Sequence, residues 1–292
     1  MSSIHAFVIC AYKKSPYLEN CIRSLLRQTV KSDIYIATST PSEYIEKLAE
    51  KYRIPVFVRD GESGIREDWQ FAWRAAGRKH SLVTIAHQDD SYQKDYVRTL
   101  LSMYQAYPDM TVFCSDYLVL RTREQKTTDG AFYPVETKVA AGDLVRFVKK
   151  CLRLPLRLRW LADRTWVKQS VLMFGNSICC PSCTYNYDFI GDTMFESEYP
   201  FALDWENLYE LAKRPGRFIC CERPLLAYRV HDGATTKACI EDDRRSRDET
   251  AMFEKLWPRW MVGLLMHFYK KAYGAYGTEK APVREDARRR KK

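Results

Sequence analysis

Apolar and polar positions follow two different periods along residues 1–116. Short apolar or β-branched runs predict strands at residues 4–12, 33–38, 54–60 and 110–116, and another strand begins at Leu82 and stops at His87. Between these runs, apolar residues recur every three or four positions and predict four helices, the third at residues 65–77. In the first helix the pattern falls on Leu18, Cys21, Ile22, Leu25 and Leu26. Strands alternating with helices predict an α/β fold with a parallel sheet and helices on both faces.

The ends of the predicted elements follow from local residue types. Ser15 is predicted as the N-cap of the first helix, and Pro16 as its first helical residue. Residues 122–142 are predicted as a polar excursion without regular structure, and residues 176–186 as a strand-like apolar segment. A helix starting near Asp204 and ending at Pro215 is followed by two predicted strands, at residues 217–222 and 225–231. The second half is therefore expected to be less regular than the first.

The last apolar segment predicts one amphipathic helix. Its apolar positions are Trp257, Trp260, Met261, Leu264, Leu265 and Phe268. This spacing is more typical of a helix that packs on its own domain than of one that lies on lipid. The flanking Lys270 and Lys271 and the basic C-terminal residues leave the membrane alternative open.

Charge is unevenly distributed along the 292 residues. The net charge is +10, and residues 146–168 hold eight cations against one acid, Asp163. Such a segment attracts a polyanion or an anionic membrane, although a solvated basic face is the simpler alternative. The apolar residues within it are Phe147, Val148, Leu152, Leu154, Leu156, Leu158, Trp160 and Leu161. They suit a core or a lipid surface better than base stacking, so no nucleic-acid partner is expected.

The cysteines indicate the redox environment of the protein, and the apolar runs indicate whether it spans a membrane. The chain holds 10 cysteines and begins without a recognisable secretion leader, so we expect free thiols in a reducing, cytoplasmic environment. No apolar run reaches the roughly 18 residues of a membrane span. A zinc site is the alternative for Cys179, Cys180, Cys183, Cys220 and Cys221. Only one pair has the usual two-residue spacing, so buried thiols are favoured over zinc.

The strand that starts at Leu82 stops at a histidine followed by two carboxylates, in the sequence AHQDD. In open α/β sheets, ligands bind beyond the carboxyl ends of the strands, and adjacent carboxylates there suit a divalent cation. Asp204, at a predicted helix start, is either a helix cap or a general base. His231, at a predicted strand end, is either a turn residue or a metal ligand. The pattern alone leaves both alternatives open.

Four segments together resemble glycosyltransferase family 2, the nucleotide-sugar transferases with the GT-A fold. They are VICAYKKSPYLENCIRSLLRQT, TIAHQDD, ALDWENLYELAKRPGRF and YRVHDGATT, in the order of the family's motifs. The resemblance extends from Ile4 to about Thr236. It implies a Rossmann-like, mixed, mostly parallel sheet flanked by helices, with a helical C-terminal extension.

The resemblance also implies roles for single residues. Asp89 and His231 match the metal ligands, and Asp204 matches the general base of the inverting enzymes. The residues matching the nucleotide-sugar site are Ala11, Tyr12, Thr38, Ser39, Arg66, Asp68, His87 and Asp90. The implied cofactor is a divalent cation, Mn²⁺ or Mg²⁺.

The sequence departs from the family at three positions. His87 replaces the first Asp of the metal motif, and an imidazole suits Mn²⁺ better than Mg²⁺. Residues 37–40 are ATST where the family has an acidic turn, so recognition of the base by an aspartate is not expected. Leu203 replaces the Glu that precedes the base.

The resemblance predicts a metal-dependent, inverting glycosyltransferase that uses a nucleotide-diphosphate sugar and a glycan or lipid-linked acceptor in cell-surface polysaccharide synthesis. We divide the chain into a nucleotide-sugar-binding half (1–120), an acceptor-binding and catalytic half of the same domain (121–240) and a C-terminal helix with a basic tail (241–292). A peripheral position at the inner face of the cytoplasmic membrane is expected. The alternative is a non-catalytic protein of the same fold that binds glycans or a partner.

Overall fold

A mixed β-sheet forms the centre of the computed structural model, which describes residues 3–126, 132–140, 144–231 and 244–271. The first half contains β1 (His5–Ala11), α1 (Leu18–Leu26), β2 (Asp33–Thr38), α2 (Glu43–Tyr52), β3 (Val56–Val58), α3 (Ile65–Gly77), β4 (Leu82–His87), β5 (Ser91–Tyr92) and α4 (Tyr96–Ala106). The second half contains β6 (Met110–Lys126), β7 (Phe132–Val139), α5 (Leu144–Leu152), α6 (Thr165–Ser170), β8 (Thr184–Asn186), α7 (Tyr187–Ile190), α8 (Leu203–Lys213), β9 (Arg217–Val230), α9 (Arg244–Leu256) and α10 (Arg259–Lys271). Short 3₁₀ turns lie at Leu154–Arg157 and Cys180–Ser182.

The strand order is β3-β2-β1-β4-β8-β6-β9-β5, with β7 paired to the second half of β6. Strands β1 to β4 pair in parallel, β6 and β9 also pair in parallel, and β8 runs antiparallel between β4 and β6. In this register Ala11 lies beside Thr38, and Cys10 lies beside His87. The predicted mixed, mostly parallel sheet flanked by helices is therefore confirmed, and the carboxyl ends of β1, β2 and β4 meet at one edge.

Each face of the sheet carries its own apolar layer, because successive strand residues point to opposite faces. Val8 of β1 and Val83 of β4 face one layer with Trp73 of α3, and α6, α8, α9 and α10 also contribute to that layer. Phe7 and Ile9 of β1 face the other layer, which α1, α2 and α4 cover. Two-sided burial explains why these strands are nearly continuous apolar runs.

The predicted N-cap of the first helix is wrong. The helix begins at Leu18, and Tyr17 occupies the cap position without a side-chain cap hydrogen bond. The Ser15 hydroxyl instead donates a hydrogen bond to Asp89 Oδ1, at 2.7 Å. The same hydroxyl accepts the backbone N–H of Tyr17 at 3.3 Å, so Ser15 combines a local hydrogen bond with a contact 74 positions away.

Three predictions for the second half are also corrected. Much of the predicted excursion at 122–142 is a hairpin of β6 and β7, paired through residues 120–126 and 132–139. The two strands predicted after α8 are one, β9, whose pairing with β6 shifts register near Pro224. The segment 176–186 contains a 3₁₀ turn at Cys180–Ser182 and only a short strand, β8, because Pro181 cannot donate a backbone hydrogen bond to a strand partner.

The C-terminal helix is broken and rotated relative to the prediction. Pro258 separates α9 from α10, and α10 buries Val262 and Met266. Trp260, Leu264 and Phe268 are exposed by 78%, 57% and 61%, so packing of the whole predicted stripe on its own domain is wrong. Within the described residues, no helix has both the length and the apolar character needed to cross a bilayer.

Candidate active site

Loops after β1, β2 and β4 are tied together at the carboxyl edge of the sheet. The Gln88 side chain accepts a hydrogen bond from the Tyr12 backbone N–H at 3.0 Å and donates one to the Tyr12 carbonyl at 3.1 Å. The Thr40 hydroxyl accepts a hydrogen bond from the backbone N–H of Lys13, whose φ is 52°. Ala11 and Thr38 are buried at these strand ends, while Tyr12 is 46% exposed. These hydrogen bonds fix the loops after β1 and β2, which carry predicted nucleotide-binding residues.

Asp89, His231 and Glu124 form a row just beyond β4. Asp89 Oδ2 lies 3.4 Å from His231 Nε2, and Glu124 Oε1 lies 3.4 Å from His231 Nδ1. The hydroxyl of Tyr17 donates a hydrogen bond to Glu124 Oε1 at 2.5 Å. The structure therefore brings together the two predicted metal ligands, Asp89 and His231.

Opposite charges in this row favour the charged forms of Asp89 and His231. Burial would raise the pKa of Asp89, but the contacts with His231 and Ser15 outweigh it and hold that pKa below its usual range. Burial would lower the pKa of His231, but the carboxylates of Asp89 and Glu124 raise it. A positive charge is thus stabilised between two carboxylates.

The row fits a divalent cation with few protein ligands. Both His231 ring nitrogens are buried and make no hydrogen bond of good geometry, although each faces a carboxylate. A ligating histidine commonly directs its second nitrogen to a carboxylate, which is the place of Glu124. Among the described residues, no group of three or more His, Cys, Asp or Glu side chains forms a metal site. Asp89 and His231 would thus leave the remaining positions to phosphate oxygens and water.

Asp90 stabilises the turn from inside. Its Oδ1 accepts the Arg229 backbone N–H at 2.8 Å, and the Arg229 Nε donates to the Asp89 carbonyl at 2.9 Å. The guanidinium also donates to Thr122 of β6 and lies 4.4 Å from the centre of the Tyr17 ring. Burial raises the pKa of Asp90 well above its usual range, against the Arg229 backbone hydrogen bond. With 2% of its surface exposed, Asp90 shapes the turn that presents Asp89.

His87 contacts different residues from those around His231. Its ring packs on Trp69 of α3, with centroids 5.1 Å apart, and its Nε2 lies 3.9 Å from Cys180 Sγ. Burial lowers the pKa of His87 to about 4, although the nearby Asp89 carboxylate raises it. The imidazole is therefore neutral at pH 7 and has ring nitrogens suited to hydrogen bonding.

A second polar cluster lies where β2 and β3 end beside α3. Asp68 accepts hydrogen bonds from Ser39 at 2.9 Å and from Arg59 Nε at 2.8 Å. Arg66, the predicted arginine of this region, is exposed and pairs with Glu67 at 2.7 Å. The arginine that contacts Asp68 is thus Arg59, which follows β3.

Asp204 lies in the first turn of α8, where it accepts the backbone N–H of Trp205 at 2.8 Å. Asn176 donates a side-chain hydrogen bond to its other oxygen at 2.7 Å. Burial raises the pKa of Asp204 to about 6, although these hydrogen bonds and the Lys149 cation lower it. The charge of Asp204 also raises the pKa of Cys180, and the Cys180 Sγ lies 3.9 Å from His87 Nε2. A carboxylate with this pKa can accept a proton near neutral pH.

The cysteines are free thiols among the described residues and do not converge on a zinc ion. Cys183 and Cys220 belong to one apolar layer of the sheet, while Cys179 and Cys221 belong to the other. Adjacent β9 residues point to opposite faces, so Cys220 and Cys221 cannot both bind one zinc ion. Burial as small apolar side chains accounts for them.

Sequence reasoning missed several residues of this region. They are Ser15, Tyr17, Arg59, Gln88, Glu124, Asn176 and Arg229. Arg229 stands inside the YRVH segment, whose strand pattern signals burial, so a buried arginine there was detectable. Most of the others carry no local signal, because their partners are distant in the chain; Arg59 is the exception, with Asp68 nine positions away.

Comparisons with solved structures show the same fold at low identity. TarS of S. aureus (residues 1–349) superposes with a TM-score of 0.55 and 11% identity over 97% of this chain and 76% of that one. A longer TarS structure is covered over 44% of its length. Glucosyl-3-phosphoglycerate synthase from Mycobacterium tuberculosis gives a TM-score of 0.55 and 12% identity over 86% of this chain and 79% of that one. The mannosyltransferase PcManGT from Pyrobaculum calidifontis, in complex with GDP-Man and Mn²⁺, gives 0.57 and 11% over 94% and 71%. These likenesses show the GT-A fold.

Family membership rests on the sequence itself. No curated protein matches this chain. The model of the family described as "Glycosyl transferase family 2" matches residues 6–151, which include the β4 turn with Asp89 and end before Asp204 and His231. This chain belongs to glycosyl transferase family 2 and is a glycosyltransferase of the GT-A fold.

Proposed function

We propose that the protein transfers a sugar from a nucleotide-diphosphate sugar to a glycan or lipid-linked acceptor in cell-surface polysaccharide synthesis, with a divalent cation and with inversion at the anomeric carbon. The observation that carries the proposal is the meeting of Asp89 and His231, 142 residues apart in sequence, at 3.4 Å beyond the carboxyl end of β4. In open α/β sheets this edge is where ligands bind. Structures of the same fold that contain UDP-GlcNAc or GDP-Man with Mn²⁺ support a nucleotide-sugar donor.

The donor would lie along the carboxyl ends of β1, β2 and β4. The nucleotide side of this site would be lined by Ala11, Tyr12, Thr38, Ser39 and Asp68. Arg59 donates a hydrogen bond to Asp68 and would orient it. The neutral, partly exposed His87 imidazole at the end of β4 would hydrogen-bond a sugar hydroxyl of the donor. Asp89 and His231 would hold the cation, which when bound supplies positive charge opposite the departing diphosphate.

Asp204 is the proposed general base. An acceptor hydroxyl must lose its proton as its oxygen attacks the anomeric carbon, and a carboxylate with a pKa of about 6 accepts that proton while still ionised at neutral pH. The Asn176 side chain holds one carboxylate oxygen, and the Trp205 N–H holds the other. Leu203 stands where the family has a Glu, and a leucine side chain cannot form a hydrogen bond. These two hydrogen bonds therefore orient Asp204.

A thermal-shift screen tests the proposal. Nucleoside diphosphates and nucleotide sugars are added with Mn²⁺, with Mg²⁺ or with a chelator. A ligand that binds only the folded protein raises its melting temperature, and at 100 times Kd the stabilisation is about 2.7 kcal/mol. We expect at least one nucleotide sugar to stabilise the protein with Mn²⁺ and to lose most of that effect with the chelator. The absence of any nucleotide-dependent shift in the presence of Mn²⁺ would refute the proposed donor class.

A further inference from the structure

Helix α5 presents its apolar side outward. Leu144, Phe147 and Val148 are exposed by 71%, 63% and 46%, and Cys151 is exposed as well. These positions, spaced i, i+3, i+4 and i+7, form one stripe of a helix that buries none of its own residues. A helix that stabilised the core through its apolar side would bury these residues and expose its polar ones.

The polar side of α5 faces the protein. Arg146 and the buried Arg153, which follows the helix, each contact Asp116 of β6 at 2.8 Å. Lys149, on the same side, lies close enough to Asp204 to lower its pKa. Because Asp116 is 1% exposed, this arginine pair fixes the orientation of the helix. The outward apolar stripe is thus a consequence of a buried ion network, and Lys149 on the inward side of the same helix is near the candidate base.

Apolar exposure continues along the chain after α5. Leu154, Leu158 and Trp160 are exposed by 44%, 50% and 71%. Together with the α5 stripe they form what we call the α5 face, namely Leu144, Phe147, Val148, Cys151, Leu154, Leu158 and Trp160. Such a set of large exposed apolar side chains on one segment marks a binding surface.

The positive charge around the α5 face indicates which partner can bind it. Residues 146–168 hold eight cations and one acid, and Lys150 is exposed beside the apolar stripe. A second copy docking symmetrically would bring two such cationic segments together, which is unfavourable. The chain's own residues 272–292 carry seven cations and three acids, so they are not complementary either. Exposed Phe and Trp among cations match the interfacial region of an anionic bilayer.

We propose that the α5 face docks into the interfacial region of an anionic membrane and so brings the Asp204 site to acceptors held in that membrane. The second part of this inference rests on the proposed glycosyltransfer, while the docking itself does not. Docking needs only the outward stripe and the surrounding cations.

Vesicle flotation tests the docking. Wild-type protein is mixed with vesicles of phosphatidylcholine alone or with about one-third phosphatidylglycerol. We expect binding to the anionic vesicles, weakened but not abolished by salt because the apolar contacts are not screened. The Leu144→Ser/Phe147→Ser variant should bind roughly tenfold more weakly or worse. The matched control Phe189→Ser, at a phenylalanine of α7 that is 46% exposed, should bind as wild type does.

A second measurement needs no substitution. Cys151 is the exposed thiol among the described cysteines, and it lies on the α5 face. Its labelling by a water-soluble maleimide, followed by peptide mass spectrometry, should slow several-fold when anionic vesicles are present. Unchanged labelling, equal vesicle binding by wild type and the double variant, or a double variant that only converts a dimer to a monomer would overturn the proposal. Nucleotide-dependent thermal shifts should be the same for both proteins, which separates failure of docking from failure of the proposed function.

Discussion

The Asp204→Asn variant will lose about 10² to 10⁴ of the rate of sugar transfer or donor hydrolysis while binding nucleoside diphosphate nearly as well as wild type. Asparagine keeps the size of the side chain and one of its two hydrogen-bond-accepting oxygens, but it cannot take up the proton of the acceptor hydroxyl. Release of nucleoside diphosphate measures the rate, and calorimetry measures the affinity. Wild-type turnover by this variant would remove Asp204 from the role of base.

Glu206→Gln is the matched control for Asp204→Asn. Glu206 lies in the same first turn of α8 and pairs with Lys255, so its replacement removes one helix-terminal charge without touching Asp204. Its rate should stay close to wild type.

In wild type, the rate should fall as the pH drops below about 6, because burial raises the pKa of Asp204 to about 6 and only the ionised form is a base. A wild-type rate that stays constant from pH 7 to pH 5 would contradict this assignment.

The Asp89→Ala variant should lose a different property, the part of nucleotide affinity that depends on the metal. Asp89 is ionised and supplies one of the two proposed protein ligands, so its removal leaves His231 alone to hold the cation. We expect the affinity for nucleoside diphosphate with Mn²⁺ to fall to the level seen with a chelator, as measured by titration calorimetry.

The control for Asp89→Ala is Asp188→Ala, which removes an exposed acid on α7. This variant should keep the full Mn²⁺ effect on nucleotide affinity. An Asp89→Ala protein that keeps the same effect would show that the cation is held by residues other than Asp89.

The first half of the fold was predictable because its signals are local. Strand β2 and helix α3 coincide with their predicted ranges, since apolar runs bounded by turn residues mark both. The β4 end was also identified, because a buried strand stopping at His87 and two acids is visible in sequence. Its surroundings were not, because the cross-links of Ser15 and Gln88 join residues more than 70 positions apart.

The second half departs from prediction for physical reasons. The polar residues of β6 and β7 concealed a hairpin, because an antiparallel pair can leave one face in water and so lose its apolar signature. Glu124, which faces His231, was missed with that hairpin. In α10 the apolar residues outnumber those that one buried side can hold, so periodicity could not tell Val262 and Met266 from the exposed Trp260.

Proton NMR of the sugar released from an α-linked nucleotide sugar, with Mn²⁺ present, tests the central claim most directly. If Asp204 activates the acceptor for a direct displacement, water in place of the acceptor yields the β-anomer first, before mutarotation, and Asp204→Asn releases it at least about a hundredfold more slowly. First appearance of the α-anomer, or release by Asp204→Asn at the wild-type rate, would contradict the account.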